Sequence, residues 1–224
     1  MEKLLPTIHM IIFRSILVLL VVFACCKRVS GQDKITLLNG QVLEVKIKSE
    51  NDGDIVYFYE KRKKKKEAKL ESYRIFSVEK KGEQEKIMYA QDTAIGNYFS
   101  VDEMRMFIYG ERDARNNYKA GWFYAGSVVL GYAAVVFDAY DSELGFFKSE
   151  PSIFPIILPL VFPIVSAKIN TKIQSKHVSE SAYLLNTEYI DGFKKVARFK
   201  RMKNTLLGTV TGVGLGLTTY FIAR

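Results

Sequence analysis

Cysteine, histidine and tryptophan are scarce in this chain of 224 residues, and their scarcity excludes several kinds of site. The two cysteines, Cys25 and Cys26, are adjacent near the N-terminus, whereas the two histidines, His9 and His177, lie far apart. Cleavage after Gly31 would leave a mature chain without cysteine, and therefore without disulfide bonds or thiolate metal sites. Neither histidine has neighbours at metal-ligand spacing, and we expect His177 to be a lone surface residue in a polar loop. The sequence therefore predicts no metal and no cofactor.

Catalytic signatures are missing from the sequence as well. The glycine-rich stretch 212–216 lies in an apolar segment, without a preceding strand or an acidic ribose-binding residue, so it is not a dinucleotide fingerprint. The apolar segments 152–167 and 205–223 contain no carboxylate, and nothing indicates the Ser/His or paired Asp groups of an intramembrane hydrolase. We therefore expect a protein that is not an enzyme.

What the sequence does have is three apolar stretches in its second half, Gly121–Phe137, Ser152–Ala167 and Thr205–Ala223. Each is close to the roughly 17 to 25 residues that a helix needs to cross a bilayer. The first half is charged and polar. These halves predict an α+β protein with a signal peptide at 1–31, a small β-barrel domain at 32–99 and a membrane-associated helical domain at 100–224, with spans near 121–137, 152–167 and 205–223.

The N-terminus has the features of an export signal. Lys3 and Arg14 precede the apolar run Ile16–Cys26, which is too short to cross a membrane alone, and small residues offer a cleavage site ending at Gly31. The alternative to a cleaved signal is an uncleaved N-terminal anchor. A second alternative is lipidation of Cys25, because the residues before it loosely resemble a lipoprotein processing box.

Residues 32–99 alternate between apolar and polar side chains, as β-strands do. Asn39-Gly40 between two such runs is a strong hairpin signal. Five short antiparallel strands with tight turns predict an SH3-like or Sm-like barrel, a fold that implies no function by itself. The expected strands are 34–38, 41–48, 55–59, 73–78 and 85–89.

A run of six cations interrupts this domain. Six adjacent cations cannot pack, so we expect an exposed loop or hairpin tip. Such a tip either binds an anionic partner, such as lipid headgroups, lipopolysaccharide or nucleic acid, or simply keeps the domain soluble. Nucleic acid is the least favoured partner, because an exported, membrane-bound chain rarely meets RNA. The run consists of Lys61, Arg62, Lys63, Lys64, Lys65 and Lys66.

Two local signals organise the helical half. Ser100 and Glu103 form a capping box, which predicts a helix that starts at Val101 and continues into the first span.

Four prolines recur every fourth residue in the second apolar stretch, and each of the last three lacks the amide that would bond the carbonyl four residues earlier. Either this helix bends with its proline ridge against protein, or the segment re-enters without crossing; the freed carbonyls also allow a pore-lining role. The prolines are Pro151, Pro155, Pro159 and Pro163.

Small residues recur at helical spacing in the first and third apolar stretches. Glycines four residues apart let another helix backbone approach closely. We therefore expect a packing seam, used either between helices of this chain or with a second copy or another protein. The predicted helix-packing residues are Gly208, Gly212, Gly216, Ser127 and Gly131.

The region between the second and third apolar stretches is strongly basic, and it raises a conflict of topology. Asn186 can cap an amphipathic helix whose basic face lies along anionic headgroups and leads into the third span. A cleaved signal makes the β domain periplasmic, which is the arrangement we expect. However, 168–204 contains nine Lys and Arg, whereas 138–151 contains one lysine and four acids. The positive-inside rule therefore favours a cytoplasmic β domain, which an uncleaved N-terminal anchor would allow.

The order of these features resembles a group of uncharacterised Bacteroidetes-type envelope proteins. The similarity rests on an export signal ending before Gln32-Asp33, on the stretch Asp33–Gly40 that opens a small β domain, and on Gly110–Ala114 and Tyr118-Lys119 before a glycine-rich and alanine-rich span. The resemblance implies an envelope location and no known activity or site residues.

Together these observations predict a membrane-anchored envelope protein that acts as a non-catalytic binding or scaffold subunit. The alternative is a channel-like or transporter-like subunit that uses the proline-rich span. A third possibility is a lipid-binding or nucleic-acid-binding module that uses the basic run. The expected partners are membrane lipid and either another protein or a second copy of this chain.

Overall fold

The computed structural model describes residues 32–51, 53–61, 64–140 and 152–223. The predicted signal peptide with Cys25, the cations Arg62 and Lys63, and Pro151 lie outside the described residues. The described part confirms the α+β class, with one antiparallel sheet followed by four α-helices. The strands are β1 (Asp33–Leu37), β2 (Val42–Glu50), β3 (Asp54–Lys61), β4 (Lys64–Glu71), β5 (Ile75–Glu79) and β6 (Lys86–Ile87). The helices are α1 (Val101–Asn117), α2 (Gly121–Ala139), α3 (Phe154–Lys168) and α4 (Thr187–Ala223).

The sheet has the strand order β4-β3-β2-β1-β5-β6. The β1–β2 hairpin turns at Asn39-Gly40, as predicted, and Gly40 takes a φ of 74°, which a side chain would strain. Within the described residues β4 and β6 form two edges, so the sheet is open. Apolar side chains from five of the strands share one core, which consists of Ile35, Leu37, Val45, Ile55, Leu70, Ile75 and Val78.

The prediction of five strands was wrong, because the lysine-rich segment itself forms β4. Lys65 pairs with Glu60 and Lys66 with Tyr59 in an antiparallel register with β3. Only Leu70 of this strand is buried. An edge strand needs little apolar surface when its backbone is paired on one side, and exposed lysines disfavour pairing of the other side with the same edge of a second copy. As predicted, the side chains of Lys64, Lys65 and Lys66 are exposed.

Helix α1 joins the sheet to the helical bundle. Its start is the predicted capping box, in which the Ser100 amide donates to Glu103 Oε2 at 2.7 Å and the Glu103 amide donates to Ser100 Oγ at 3.4 Å. Met104 and Ile108 pack against Phe76 of the sheet. The helix does not run on into α2, because residues 118–120 separate the two.

Helices α2, α3 and α4 form the apolar bundle. At the end of α2, Asp138 accepts from the Ser152 amide at 3.1 Å and from its hydroxyl at 2.6 Å, so α3 starts beside the end of α2. Helix α4 is continuous over 37 residues, which corresponds to about 55 Å. Helices α2 and α4 are long and apolar enough to cross a membrane, whereas α3 is a shorter apolar helix. Two of the three predicted spans are therefore candidates by length.

The proline-rich stretch forms the 15-residue helix α3. Pro155 and Pro163 are buried and Pro159 is half-buried, so the proline ridge faces the rest of the protein. The Ser166 hydroxyl donates to the Pro163 carbonyl at 2.7 Å.

Candidate functional site

The apolar bundle buries mostly small side chains, with Tyr220 as the largest exception, and exposes many large apolar ones. Only 22% of the most apolar stretch of α2 and 33% of that of α4 is buried. Trp122 is 90% exposed, Phe137 80% and Ile222 80%, and the outer side of α3 is equally apolar. A soluble protein rarely exposes a continuous apolar surface of this extent. The outside of the bundle therefore has the chemistry of a surface that faces lipid.

The predicted small residues meet between α2 and α4. A Cβ added to Gly212 would lie closer than 3.0 Å to the backbone of Val128 and 2.9 Å from the Tyr132 amide nitrogen. A Cβ on Gly131 would lie 2.8 Å from the Thr209 carbonyl oxygen. A Cβ on Gly208 would lie 2.9 Å from Ser127 Cβ, and a Cβ on Gly216 would lie 2.6 Å from Val135 Cβ. The structure thus brings all five predicted packing residues into one seam, and this seam lies within the chain.

Three polar side chains of α4 lie directly before its apolar segment 205–223, and we call them the junction layer: Lys200, Arg201 and Asn204. Lys200 Nζ donates to the carbonyls of Ala114, Arg115 and Tyr118 at 3.1, 2.6 and 2.9 Å. The last carbonyls of a helix have no partner within it and carry partial negative charge. Lys200 therefore caps the C-terminal end of α1.

The other two members of the junction layer donate hydrogen bonds at the neighbouring helix ends. Asn204 Nδ2 donates to the Ala120 carbonyl at 2.9 Å, directly before α2. Arg201 donates to Thr171 Oγ1 and to the Ile169 carbonyl, both at 2.6 Å, directly after α3. Its guanidinium carbon also lies 5.7 Å from the centre of the Phe123 ring. One turn of α4 thus fixes the ends of three helices at one level.

A buried carboxylate attaches the loop between α3 and α4 to α1. Asp113 is 2% exposed and accepts from the Ser179 amide at 2.8 Å, the Ser179 hydroxyl at 2.5 Å and the Tyr189 hydroxyl at 2.7 Å. These three hydrogen bonds hold the loop against α1.

His177, which the sequence suggested was a lone surface residue, is half-buried in the same loop. Its ring lies 6.3 Å from that of Phe193 in a stacked arrangement and 6.0 Å from that of Tyr118. Burial lowers the pKa of His177, and the neighbouring charge of Lys176 lowers it further. The aromatic packing explains the difference, because a flat apolar ring face gains from this contact.

Helices α1 and α4 also share an ion pair. Glu111 is 1% exposed, and its Oε1 lies 2.8 Å from Lys195 Nζ, which sits 5.0 Å from the centre of the Phe107 ring. Only the Glu111 side of the pair is buried, since the Lys195 side chain is 63% exposed, so removing Lys195 would leave a buried charge without its partner. The pair therefore contributes to fixing how α1 and α4 cross.

A basic pocket of about 190 Å³ opens where α3 ends against α4. Three of its cations, Lys168, Lys194 and Arg198, are exposed and form no hydrogen bond or ion pair with any described residue. The fourth, Arg201, is 2% exposed. No carboxylate lines the pocket, so its electrostatic character suits an anion. The lining residues are Ala167, Lys168, Ile169, Asn170, Thr171, Lys194, Arg198 and Arg201.

The predicted anion-binding run lies far from this pocket along the chain, at the tip of the β3–β4 hairpin. A groove of about 880 Å³ beside it is lined by Lys46 and Lys65 but also by Glu44 and Glu60. Its mixed charge does not select an anion. The six-cation site therefore stays a prediction, and Arg62 and Lys63 lie outside the described residues.

In the part of the chain that the structure describes, no group of three or more His, Cys, Asp or Glu side chains could hold a metal ion. Comparison of the chain with protein-family models, with curated proteins and with solved structures gave no match.

Sequence reasoning missed the junction layer, Asp113 and the basic pocket. Lys200 and Arg201 were visible only as members of a basic helix face, and their partners lie at least 30 residues away in the chain. One signal was available: Lys194, Arg198 and Arg201 recur at i, i+4 and i+7, which places them on one helix face.

Proposed function

We propose that this protein is a membrane-anchored scaffold or binding subunit of the bacterial cell envelope, without catalytic activity. The observation that carries the proposal is that one helix, α1, contacts both the sheet and α4 of the apolar bundle. Helix α1 packs on the sheet through Met104 and Ile108, and its C-terminal carbonyls are fixed by Lys200 of α4. A protein built in this way presents a small β domain at a set position beside a membrane.

The sheet supplies a surface for a partner. The edge strand β4 has one unpaired side, and its cations Lys64, Lys65 and Lys66 are exposed. An exposed strand edge with a basic tip suits an acidic protein segment or an anionic headgroup surface. Nucleic acid remains the least favoured partner, since an envelope location separates the protein from it.

The proposal also includes the closure of the sheet, a third membrane span and the orientation in the membrane. We propose that the sheet curls into an SH3-like or Sm-like barrel, that α3 crosses the membrane as a third, proline-bent span, and that residues 1–31 are an export signal that leaves the β domain periplasmic. A cytoplasmic-facing β domain with an uncleaved N-terminal anchor is the alternative. In either case the sheet and the loop after α3 share one side, because both contact α1, through Arg115 to the Asn39 carbonyl and Asp113 to Ser179.

Single cysteines test this topology. In a variant with Cys25 and Cys26 changed to serine, cysteines at Lys65 and Lys172 should react with an impermeant reagent from the same side of the membrane. Tyr140→Cys, at the far end of α2, should react from the opposite side. Labelling of Lys65→Cys and Lys172→Cys from opposite sides would contradict the proposed arrangement.

The scaffold role is tested by purification with native neighbours after mild cross-linking in the membrane. We expect a stable complex with at least one other protein, which Lys64→Glu, Lys65→Glu and Lys66→Glu together should weaken. The same number of charge reversals at Lys172, Lys176 and Lys203 is the control. Recovery of the protein alone, with ion flux after reconstitution into liposomes, would instead support the channel-like alternative.

The structure offers the channel-like alternative little support within one chain. The glycine seam leaves no space between α2 and α4, since even a Cβ at Gly212 meets the facing backbone. Pro155 and Pro163 are packed against protein. A conducting path lined by the freed carbonyls of α3 would therefore require several copies.

A further inference from the structure

We infer that the basic pocket formed by Lys168, Lys194, Arg198 and Arg201 binds a single phosphate group of an anionic lipid. Three of these cations lie on one face of α4, at i, i+4 and i+7, and the fourth is the last residue of α3. Like charges at i, i+4 destabilise a helix. A bound anion would relieve that repulsion.

The buried arginine is the strongest indication that this pocket suits an anion. Arg201 is 2% exposed, yet it forms no ion pair with a described carboxylate. Its guanidinium donates to a hydroxyl and a carbonyl and lies beside the Phe123 ring, and its Nε is buried without a hydrogen-bond partner. Burying an unpaired charge is costly. The partial negative charge at the end of α3 offsets only part of this cost.

The size of the pocket favours one phosphate over a larger ligand. Its volume of about 190 Å³ is below the roughly 300 to 1,000 Å³ of pockets that enclose whole small molecules. Guanidinium groups bind phosphate oxygens in pairs, and lysines add point charge. Exposed Lys194 and Arg198 can therefore clamp a phosphate whose remaining part stays outside.

The location favours a phosphate that belongs to a lipid. The pocket lies at the level of the junction layer, where the apolar segment of α4 begins at Thr205 and that of α3 ends. Ile164 and Val161 precede Lys168 by four and seven residues, so they share its helix face, and both are exposed and apolar. Acyl chains can lie along them while the phosphate occupies the pocket. The assignment of the phosphate to a lipid rests on the proposed membrane location.

Thermal unfolding of the purified full chain in a neutral detergent tests the inference, with three probes titrated separately: a short-chain phosphatidylglycerol, a short-chain phosphatidylcholine and inorganic phosphate. We expect phosphatidylglycerol to raise the unfolding temperature and phosphatidylcholine to leave it unchanged. In Lys194→Glu/Arg198→Glu, the affinity for phosphatidylglycerol should fall at least about tenfold. In Lys172→Glu/Lys203→Glu, which changes net charge equally outside the pocket, it should change less than about twofold.

The outcomes separate the pocket from simpler explanations. An equal loss in both double variants would mean diffuse attraction and would overturn the pocket. Inorganic phosphate that binds as tightly as phosphatidylglycerol would assign the site to free phosphate and overturn the lipid. Because Lys194 and Arg198 are exposed, the pocket variant should unfold at the wild-type temperature or above it without ligand. A failure of lipid binding in a protein that still fractionates with membranes would leave the scaffold role intact.

Discussion

Gly110 of α1 and Gly192 of α4 lie at the crossing of the two helices, and neither position has room for a side chain. A Cβ on Gly110 would lie closer than 3.0 Å to the backbone of Tyr189 and Phe193, and a Cβ on Gly192 would lie equally close to the backbone of Phe107. Helices approach this closely only where both lack a Cβ. The crossing connects the sheet-bound helix to the helix that enters the apolar bundle.

Changing Gly192 to alanine should destabilise the protein, although alanine favours a helix more than glycine does. The added methyl group meets backbone that cannot move aside, so we expect a loss of about 1–3 kcal/mol in the free energy of unfolding. Gly214→Ala is the control, because it lies in the same helix with no atom within 4 Å of the added Cβ. That variant should gain up to about 1 kcal/mol from helix propensity. Unfolding in detergent measures both, and a gain in both would argue against the close crossing.

The seam between α2 and α4 gives a second prediction. Gly212→Leu places a large side chain against Val128 and Tyr132, and should lower the unfolding temperature clearly. Leu215→Phe, at a position that is 52% exposed, should change it little. Because the seam lies within one chain, the particle size in detergent should be the same for both variants and wild type. A shift of Gly212→Leu to a smaller oligomer would instead place the seam between copies.

Removal of the Lys200 charge tests the junction layer. Lys200→Met keeps an apolar stem of similar length but removes the ammonium donor from the three carbonyls at the end of α1, of which only that of Ala114 keeps a second donor, the Tyr118 amide. Unsatisfied partly buried acceptors cost about 1–3 kcal/mol. Lys203→Met removes the same charge from an exposed position and should change stability by less than about 0.5 kcal/mol. Denaturant unfolding of the pair would refute the capping role if the two variants lost stability equally.

The half-buried imidazole of His177 predicts a pH dependence. Its pKa is lowered below the ordinary 6.5, chiefly by burial, so the unfolded chain takes up a proton at a higher pH than the folded one. The stability that neutral His177 contributes is therefore complete above 6.5 and is lost as the pH falls through the lowered pKa. Between about pH 7.5 and about pH 5, the unfolding temperature of wild type should fall more than that of His177→Gln. Parallel curves for the two proteins would mean that His177 is exposed in solution.

Local signals allowed several elements to be predicted from sequence. The capping box at Ser100 fixes where α1 starts, and the positive φ that Gly40 adopts fixes the first hairpin. Both depend on residues within four positions of each other. The apolar stretches predicted the helices of the bundle. Only the structure shows that α2 and α4 are long enough to cross a membrane and that α3 is shorter.

Other elements could not be predicted, because their causes are distant in the chain. Strand β4 has one buried side chain, Leu70, so neither alternation nor an apolar run identifies it; pairing with β3 is what orders it. Gly110 meets a helix that begins more than 70 residues later, and Asp113 meets Ser179 across a similar separation. From the sequence alone, Gly110 is an ordinary glycine and Asp113 an ordinary acid, and nothing indicates either contact.

The unbroken course of α4 sets a limit on where any binding partner can reside. The polar part of this helix, residues 187–204, rises about 27 Å before the apolar segment begins. The sheet is bound to that same part through α1, so this contact sets its distance from the apolar segment. With the bundle in a membrane, as proposed, a protein that docks on the β domain would be embedded in the same bilayer or would rest within a few nanometres of it.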